Sequence, residues 1–187
     1  TGNVDLVDFE KKITSKTRGA IIVHFSGIPA KMDKIMELCS PRGIKVIEDS
    51  ALAVGSKYKG VHAGLWGDVG CFSFYPVKHI TTSEGGMLVS KNADTAKKIA
   101  HFRAFSVDRT HSERTIPGFY NVTGVGLNYR MGELQSALGV AQIDRIPEIL
   151  KRRKANFNRL KTGLLQLDCG TVLDSETTKE NSFYCLS

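Results

Sequence analysis

Three side chains of different chemistry stand near the ends of two apolar runs. Asp49 closes the run Ile44–Glu48, Ser73 lies in the run Val69–Phe74, and Lys78 follows Phe74 after Tyr75-Pro76-Val77. In an open parallel sheet, ligands collect beyond the carboxyl ends of the strands, because loops and helix N-termini converge there. A carboxylate, a hydroxyl and an amine on one such rim suit an anionic, nitrogen-containing aromatic ligand. Asp49 and Lys78 could instead form a structural ion pair, since such pairs also perturb ionisation. Ser73 could satisfy backbone groups at a strand end. His24 could approach the same rim or be a hydrogen-bonded strand-edge histidine. His62, His101 and His111 share no spacing with a carboxylate pair that would suggest a metal.

The elements that must carry these residues are read from apolar periodicity and punctuation. Asp5 caps a helix from Leu6 to Ile13, with Asp8 in its first turn. Ala20–Phe25 is a β-branched run fit for a strand buried on both faces. Met32, Ile35, Met36 and Leu38 mark a helix that ends near Pro41-Arg42-Gly43, and the strand Ile44–Glu48 follows. Strand, helix and strand within about thirty residues predict a right-handed crossover and parallel pairing. The stretch from Ser50 to Gly67 reads as loop with one short turn. Val69–Phe74 and Met87–Ser90 are further strands, the second entered through Gly85-Gly86, and Asn92 caps a helix running to Phe105. Ser106–Asn121 lacks periodicity and is expected to be a mobile loop. From Met131 a helical stripe runs through Leu134, Leu138 and Ala141, then Ile146, Ile149 and Leu150, and on to Phe157, Leu160 and Leu164. Pro147 predicts a kink or break. Asp168–Leu173 is read as the first strand of a second unit.

Composition bounds the remaining choices. The chain has 187 residues, 41% of them apolar, which excludes disorder, collagen and coiled coil and leaves one domain with a fragment of another. No apolar run is long enough to span a membrane, no signal peptide is expected, and a first residue of Thr1 rather than Met reads as part of a longer protein. Lys and Arg exceed Asp and Glu by 26 to 19, a net charge of +7 that suits nucleic acid, a membrane surface or a phosphorylated small molecule. The basic residues are scattered rather than interleaved with aromatics, which argues against nucleic acid. The cluster Lys151-Arg152-Arg153-Lys154 reads as a solvated helix face. Cys39, Cys71, Cys169 and Cys185 have neither zinc-ligand spacing nor a paired framework and are expected to be reduced, buried and cytoplasmic.

Four runs occur in order: Val46-Ile47-Glu48-Asp49-Ser50-Ala51, Gly67 to Lys78, Thr81-Thr82-Ser83-Glu84-Gly85-Gly86-Met87, and Gly126-Leu127-Asn128-Tyr129-Arg130-Met131. Together they resemble the DegT/DnrJ/EryC1/StrS family of sugar-nucleotide aminotransferases, from about Val4 to Leu165. The resemblance implies an α/β fold, the aspartate aminotransferase-like large domain of pyridoxal-phosphate (PLP) fold type I, with a mostly parallel sheet flanked by helices. It implies that residues 1–166 are part of this cofactor-binding domain and that 167–187 begin a small C-terminal domain. It also implies that both ends of the family's chain lie outside these residues, so that the piece alone binds cofactor poorly and is inactive.

The family's site residues carry over position by position. Lys78 matches the lysine that forms a Schiff base with the aldehyde of pyridoxal 5'-phosphate, and a semi-buried site beside a cationic ring would keep its amine available. Asp49 matches the carboxylate on the pyridine nitrogen, which keeps the ring an electron sink. Ser73 matches a phosphate-binding hydroxyl, Ala51 would lie against the ring face, and Asn128 matches an asparagine reaching the cofactor phosphate of a neighbouring subunit. A complete site would then need a homodimer. The implied reaction transfers nitrogen from glutamate or glutamine to a nucleotide-diphosphate keto-sugar, in cytoplasmic synthesis of cell-surface polysaccharide, lipopolysaccharide or glycosides, without nucleic acid or membrane insertion. Leu52 stands where many members have glutamine, and His79 where many have asparagine; His79 is either an acid–base helper or a loop support. Related deoxysugar dehydratases carry histidine in place of the lysine, so Lys78 favours amino transfer. A non-catalytic regulatory protein of the same fold is the other alternative.

Overall fold

The computed structural model describes residues 2–108, 113, 115–167, 171–173 and 180–187. Helix α1 (Leu6–Lys12) is capped by Asp5, whose Oδ1 accepts the Asp8 amide at 2.9 Å. Strand β1 (Gly19–Val23) follows, and a short 3-10 turn at Phe25–Gly27 leads towards helix α2 (Met32–Cys39). A second 3-10 turn, Ser40–Arg42, is closed by Gly43 at φ +66°, a left-handed conformation that glycine adopts without steric cost. The chain then enters β2 (Lys45–Asp49), paired in parallel with β1 so that Val23 stands opposite Asp49. The expected crossover unit is therefore present.

Between β2 and the next sheet strand lies a small hairpin, β3 (Lys57–Tyr58) and β4 (Val61–His62), where only loop was expected. Its turn residues Lys59 and Gly60 both have positive φ, +48° and +78°, the geometry a two-residue hairpin turn demands. Strand β5 (Val69–Ser73) pairs in parallel with β2, and β6 (Gly86–Val89) pairs antiparallel with β5. The sheet order is β1-β2-β5-β6, three parallel strands and one antiparallel edge. Gly70 in β5 is a contact position: a Cβ there would lie 2.2 Å from the carbonyl oxygen of Gly64.

Helix α3 (Ala93–Phe102) starts from Asn92, whose Oδ1 accepts the Thr95 amide at 2.8 Å. The long apolar stripe beyond it divides into α4 (Glu133–Ile143) and α5 (Ile146–Gln166). Pro147 sits in the first turn of α5, where its missing amide hydrogen costs nothing, so the expected break falls just before it. No helix among the described residues is long and apolar enough to cross a membrane.

The core lies on one face of the sheet, where Ile22 and Val46 meet Met32, Ile35 and Cys39 of α2, with Leu6, Phe9 and Trp66 packed around them. Each such buried side chain contributes about 1.5–3 kcal/mol of transfer free energy. The opposite face corrects one expectation, because β1 is not buried on both sides. Ile21 is 70% exposed and Val23 45%, since no described element covers that face. The cysteines also differ from expectation. Cys39 is buried and Cys71 half-buried, but Cys185 is exposed, 3.3 Å from the Ser26 hydroxyl; all three are free thiols, and Cys169 and His111 lie outside the described residues. The expected strand Asp168–Leu173 also falls partly outside them, and 171–173 is not a strand. The loop Ser106–Asn121 is tied at its base, where Val107 bridges Val122 and Asp108 bonds Asn121.

Candidate active site

Strand alternation separates the two carboxylates of β2. Val46 and Glu48 are buried, while Asp49 at the strand end is half-buried at the carboxyl rim. The Asp49 carbonyl accepts the His24 amide at 3.1 Å, and the next amide, Ser50, donates to Cys71 of β5 at 2.8 Å. Oδ1 of Asp49 accepts the Ala51 amide at 3.0 Å, a local turn that fixes the carboxylate and sets Ala51 directly beyond it. Among the described residues, Oδ2 takes no hydrogen bond.

Lys78 belongs to the loop joining β5 to β6, on the same rim as Asp49. The loop is closed at its neck: Phe74 donates to the Gly85 carbonyl at 2.9 Å, and its own carbonyl accepts the Thr82 amide at 2.9 Å and the Thr81 hydroxyl at 3.0 Å. The Gln142 side chain of α4 bonds the Thr81 backbone from outside. The Lys78 amide donates to Tyr75 at 2.9 Å, and its half-buried side chain ends with Nζ 5.2 Å from the centre of the Tyr184 ring. No ion pair joins Lys78 to Asp49 among the described residues. Ser73, opposite Gly86 at the end of β5, accepts the Tyr75 amide at 3.3 Å, which leaves its hydroxyl proton to donate elsewhere.

Behind this rim His24 and Glu48 are bonded to each other and to backbone amides. His24 and Glu48 are fully buried and joined at 2.9 Å through Nε2, while Nδ1 of His24 accepts the Ala30 amide at 3.1 Å. His24 is thus a satisfied core histidine. Glu48 also accepts the amides of Gly64, Trp66 and Gly67 at 2.7–2.8 Å, which locks that turn against β5. Burial pushes the Glu48 carboxyl up, but the His24 bond and the Gly67 and Gly64 amides outweigh it and hold it below the usual carboxylate range.

His79 supports the loop. It is 5% exposed, and its Nε2 donates to the Ser182 carbonyl at 2.9 Å. Burial holds its imidazole down at about 4, so it is neutral at physiological pH. Among the described residues, the buried Ser50 hydroxyl, which follows Asp49 in sequence, and Nδ1 of His79, which follows Lys78, have no hydrogen-bond partner.

Asn128 lies in the chain between α3 and α4. It bridges Ala104 beyond α3, is exposed, and accepts Arg130 Nε at 3.1 Å. An open groove of about 860 Å³ lies between β6, α3 and α4, lined by apolar residues such as Phe72, Met87, Ile99 and Val140, and none of the five expected site residues lines it. The residues that sequence reasoning missed are Glu48 and Tyr184. The first was signalled by a charge at a core-facing strand position. The second had no local signal, since its ring contacts, Lys78 and His79, lie more than a hundred residues away.

A model of the DegT/DnrJ/EryC1/StrS aminotransferase family matches residues 1–187. GDP-perosamine synthase of Escherichia coli O157:H7 is 38% identical over 156 residues, covering 82% of this chain and 40% of the synthase. An aminotransferase from Psychrobacter cryohalolentis superimposes with a TM-score of 0.88 at 30% identity, over 98% of this chain and 50% of its own. The Helicobacter pylori aminotransferase PseC, involved in the biosynthesis of pseudoaminic acid, gives a TM-score of 0.86 at 26% identity, over 99% and 48%. The chain spans about half the length of the proteins it matches.

Proposed function

Because the chain belongs to the DegT/DnrJ/EryC1/StrS aminotransferase family, we propose that the protein containing it is a pyridoxal-phosphate-dependent aminotransferase. It moves an amino group from glutamate or glutamine to a nucleotide-linked keto-sugar that feeds polysaccharide or glycoside synthesis. One arrangement carries this reading: Asp49 ends β2, and Lys78 rides on the loop that leaves the adjacent strand β5 at the same rim.

The residues present fit the cofactor. Among the described residues, Asp49 keeps one carboxylate oxygen unengaged, Ser73 keeps a hydroxyl proton to donate, and no ion pair ties up Lys78. Asp49 is the group for the protonated ring nitrogen and Ser73 for the phosphate, while the short side chain of Ala51 leaves room at the ring face. When bound, pyridoxal phosphate supplies an electron sink for charge developing at the reacting carbon. Lys78 holds the cofactor covalently and serves as the acid–base group that moves the proton. His79, neutral and bonded to Ser182, keeps the Lys78 loop in place. Asn128 is exposed, which is compatible with its serving the site of a second copy, and the working unit of this reading is a homodimer. Free thiols at Cys39, Cys71 and Cys185 fit a reducing, cytoplasmic setting.

The test is nitrogen transfer by the full-length protein. With 15N-glutamate and a panel of nucleotide-linked keto-sugars, the label is expected in a nucleotide-linked amino sugar, and Lys78→Ala is expected to abolish it. Equal transfer by the variant, or loss of water from the sugar without nitrogen gain, contradicts the proposal.

A further inference from the structure

Lys78 has a neighbour that no strand or helix supplies. Residues 180–187 cross the rim as an irregular strap tied to five separate parts of the molecule. The Ser182 amide donates to the Gly27 carbonyl at 3.2 Å, its hydroxyl donates to the Leu52 carbonyl at 2.7 Å, and its own carbonyl accepts His79. Arg153 of α5 donates to the Tyr184 carbonyl at 2.9 Å, and the Lys57 amide of β3 donates to Glu180 at 2.9 Å. Phe183 is held at φ +54°, with its ring 5.3 Å from that of Phe157. A bulky residue stays in that left-handed region only when its surroundings over-determine it, and such strain clusters at functional sites. What it achieves here is the placement of the next ring. Tyr184 lies 5.2 Å from Lys78 Nζ and 5.7 Å from the His79 ring.

We propose that Tyr184 is a positioning residue for Lys78: its ring face holds the ε-ammonium whenever the amine is not covalently engaged, and so sets how readily that amine reaches an aldehyde. The inference rests on the reading of Lys78 as the cofactor-bearing lysine. An aromatic face attracts a cation within about 6 Å through its quadrupole, and the attraction is stronger where water is partly excluded. It holds the side chain against the ring and away from an incoming carbonyl. A weaker ring therefore releases the reactive amine, and capture of an aldehyde accelerates.

The test uses the full-length protein freed of cofactor. Pyridoxal phosphate is added at neutral pH, the linkage is fixed with borohydride at timed intervals, and the label at Lys78 is followed by peptide mass spectrometry. Position 184 carries Tyr, Phe, or near-isosteric phenylalanines with one and three ring fluorines, which drain the ring's negative face without changing its packing. Tyr184→Phe is expected to label as the wild type does, and the trifluorinated ring about two- to five-fold faster, with the monofluorinated ring between. A rate that is flat across the series, or that falls with fluorination, overturns the role of Tyr184. Lys78→Ala is the separate control. If it still acquires label at the wild-type rate, the reading of Lys78 itself fails; if it loses label while the series is flat, only the Tyr184 inference fails.

Discussion

Glu48 and Asp49 are adjacent carboxylates on one strand, yet they occupy opposite regimes. Glu48 is fully buried and accepts His24 and three backbone amides, whereas Asp49 is half-buried and accepts one amide from its own turn. Strand alternation alone separates them. A carboxylate whose acceptor sites are filled by protein is committed to holding structure, while one with an unengaged oxygen at a strand rim is available to a ligand. Chemical type is therefore a poor guide to role here, and hydrogen-bond saturation is a good one.

The largest test of this contrast removes the saturated carboxylate. Glu48→Ala strands one imidazole N–H and three amides in the interior, and is expected to cost about 3–5 kcal/mol in a urea-unfolding experiment. A cost below about 1 kcal/mol would break the assignment of Glu48 to structure. Gly70→Ala drives a methyl into the Gly64 carbonyl, within the turn that Glu48 organises. About 1–3 kcal/mol of destabilisation is expected by the same measurement.

Acid should act on the same buried groups. The Glu48 carboxyl lies below its unfolded value, so its contribution is present above the unfolded pKa and lost as pH falls through the folded one. His79 titrates at about 4 when folded against about 6.5 unfolded, so the unfolded chain binds more protons between those values. Both effects run the same way. Stability is expected to fall by about 1 kcal/mol between pH 7 and pH 5.5, from His79 alone, and further below that as Glu48 joins. His79→Gln should flatten the first part of that decline. The smallest effect on stability belongs to Asp49→Asn, which should change it by less than about 0.5 kcal/mol. The same variant should cut nitrogen transfer at least about a hundredfold, because the ring nitrogen loses its anionic partner.

The crossover from β1 through α2 to β2 was legible because apolar runs and a 3.6-residue stripe alternate clearly over that stretch. The rim positions of Asp49 and Lys78 followed from strand ends alone. The β3–β4 hairpin was not legible, since strands of two residues show no period and Lys59-Gly60 is a weak turn signal. The open face of β1 was misread because Ile21 and Val23 advertise burial whether or not the described residues supply the cover. Glu48 was read only as part of a strand, although its parity with Val46 put it on the core side, next to a histidine at the end of β1. The strap at 180–187 carries no pattern at all; its hydrogen bonds run to Gly27, Leu52, Lys57, His79 and Arg153 and its aromatic contacts to Lys78 and His79, and sequence distance hides them.

The central claim is that the amine at position 78 is the one that takes up the cofactor. The full-length protein is saturated with pyridoxal phosphate, reduced with borohydride and digested, and the modified peptides are sequenced by mass spectrometry. A single modified site at Lys78, absent from Lys78→Ala, is the predicted result. Modification spread over surface lysines such as Lys151 and Lys154, with Lys78 unlabelled, would contradict the account.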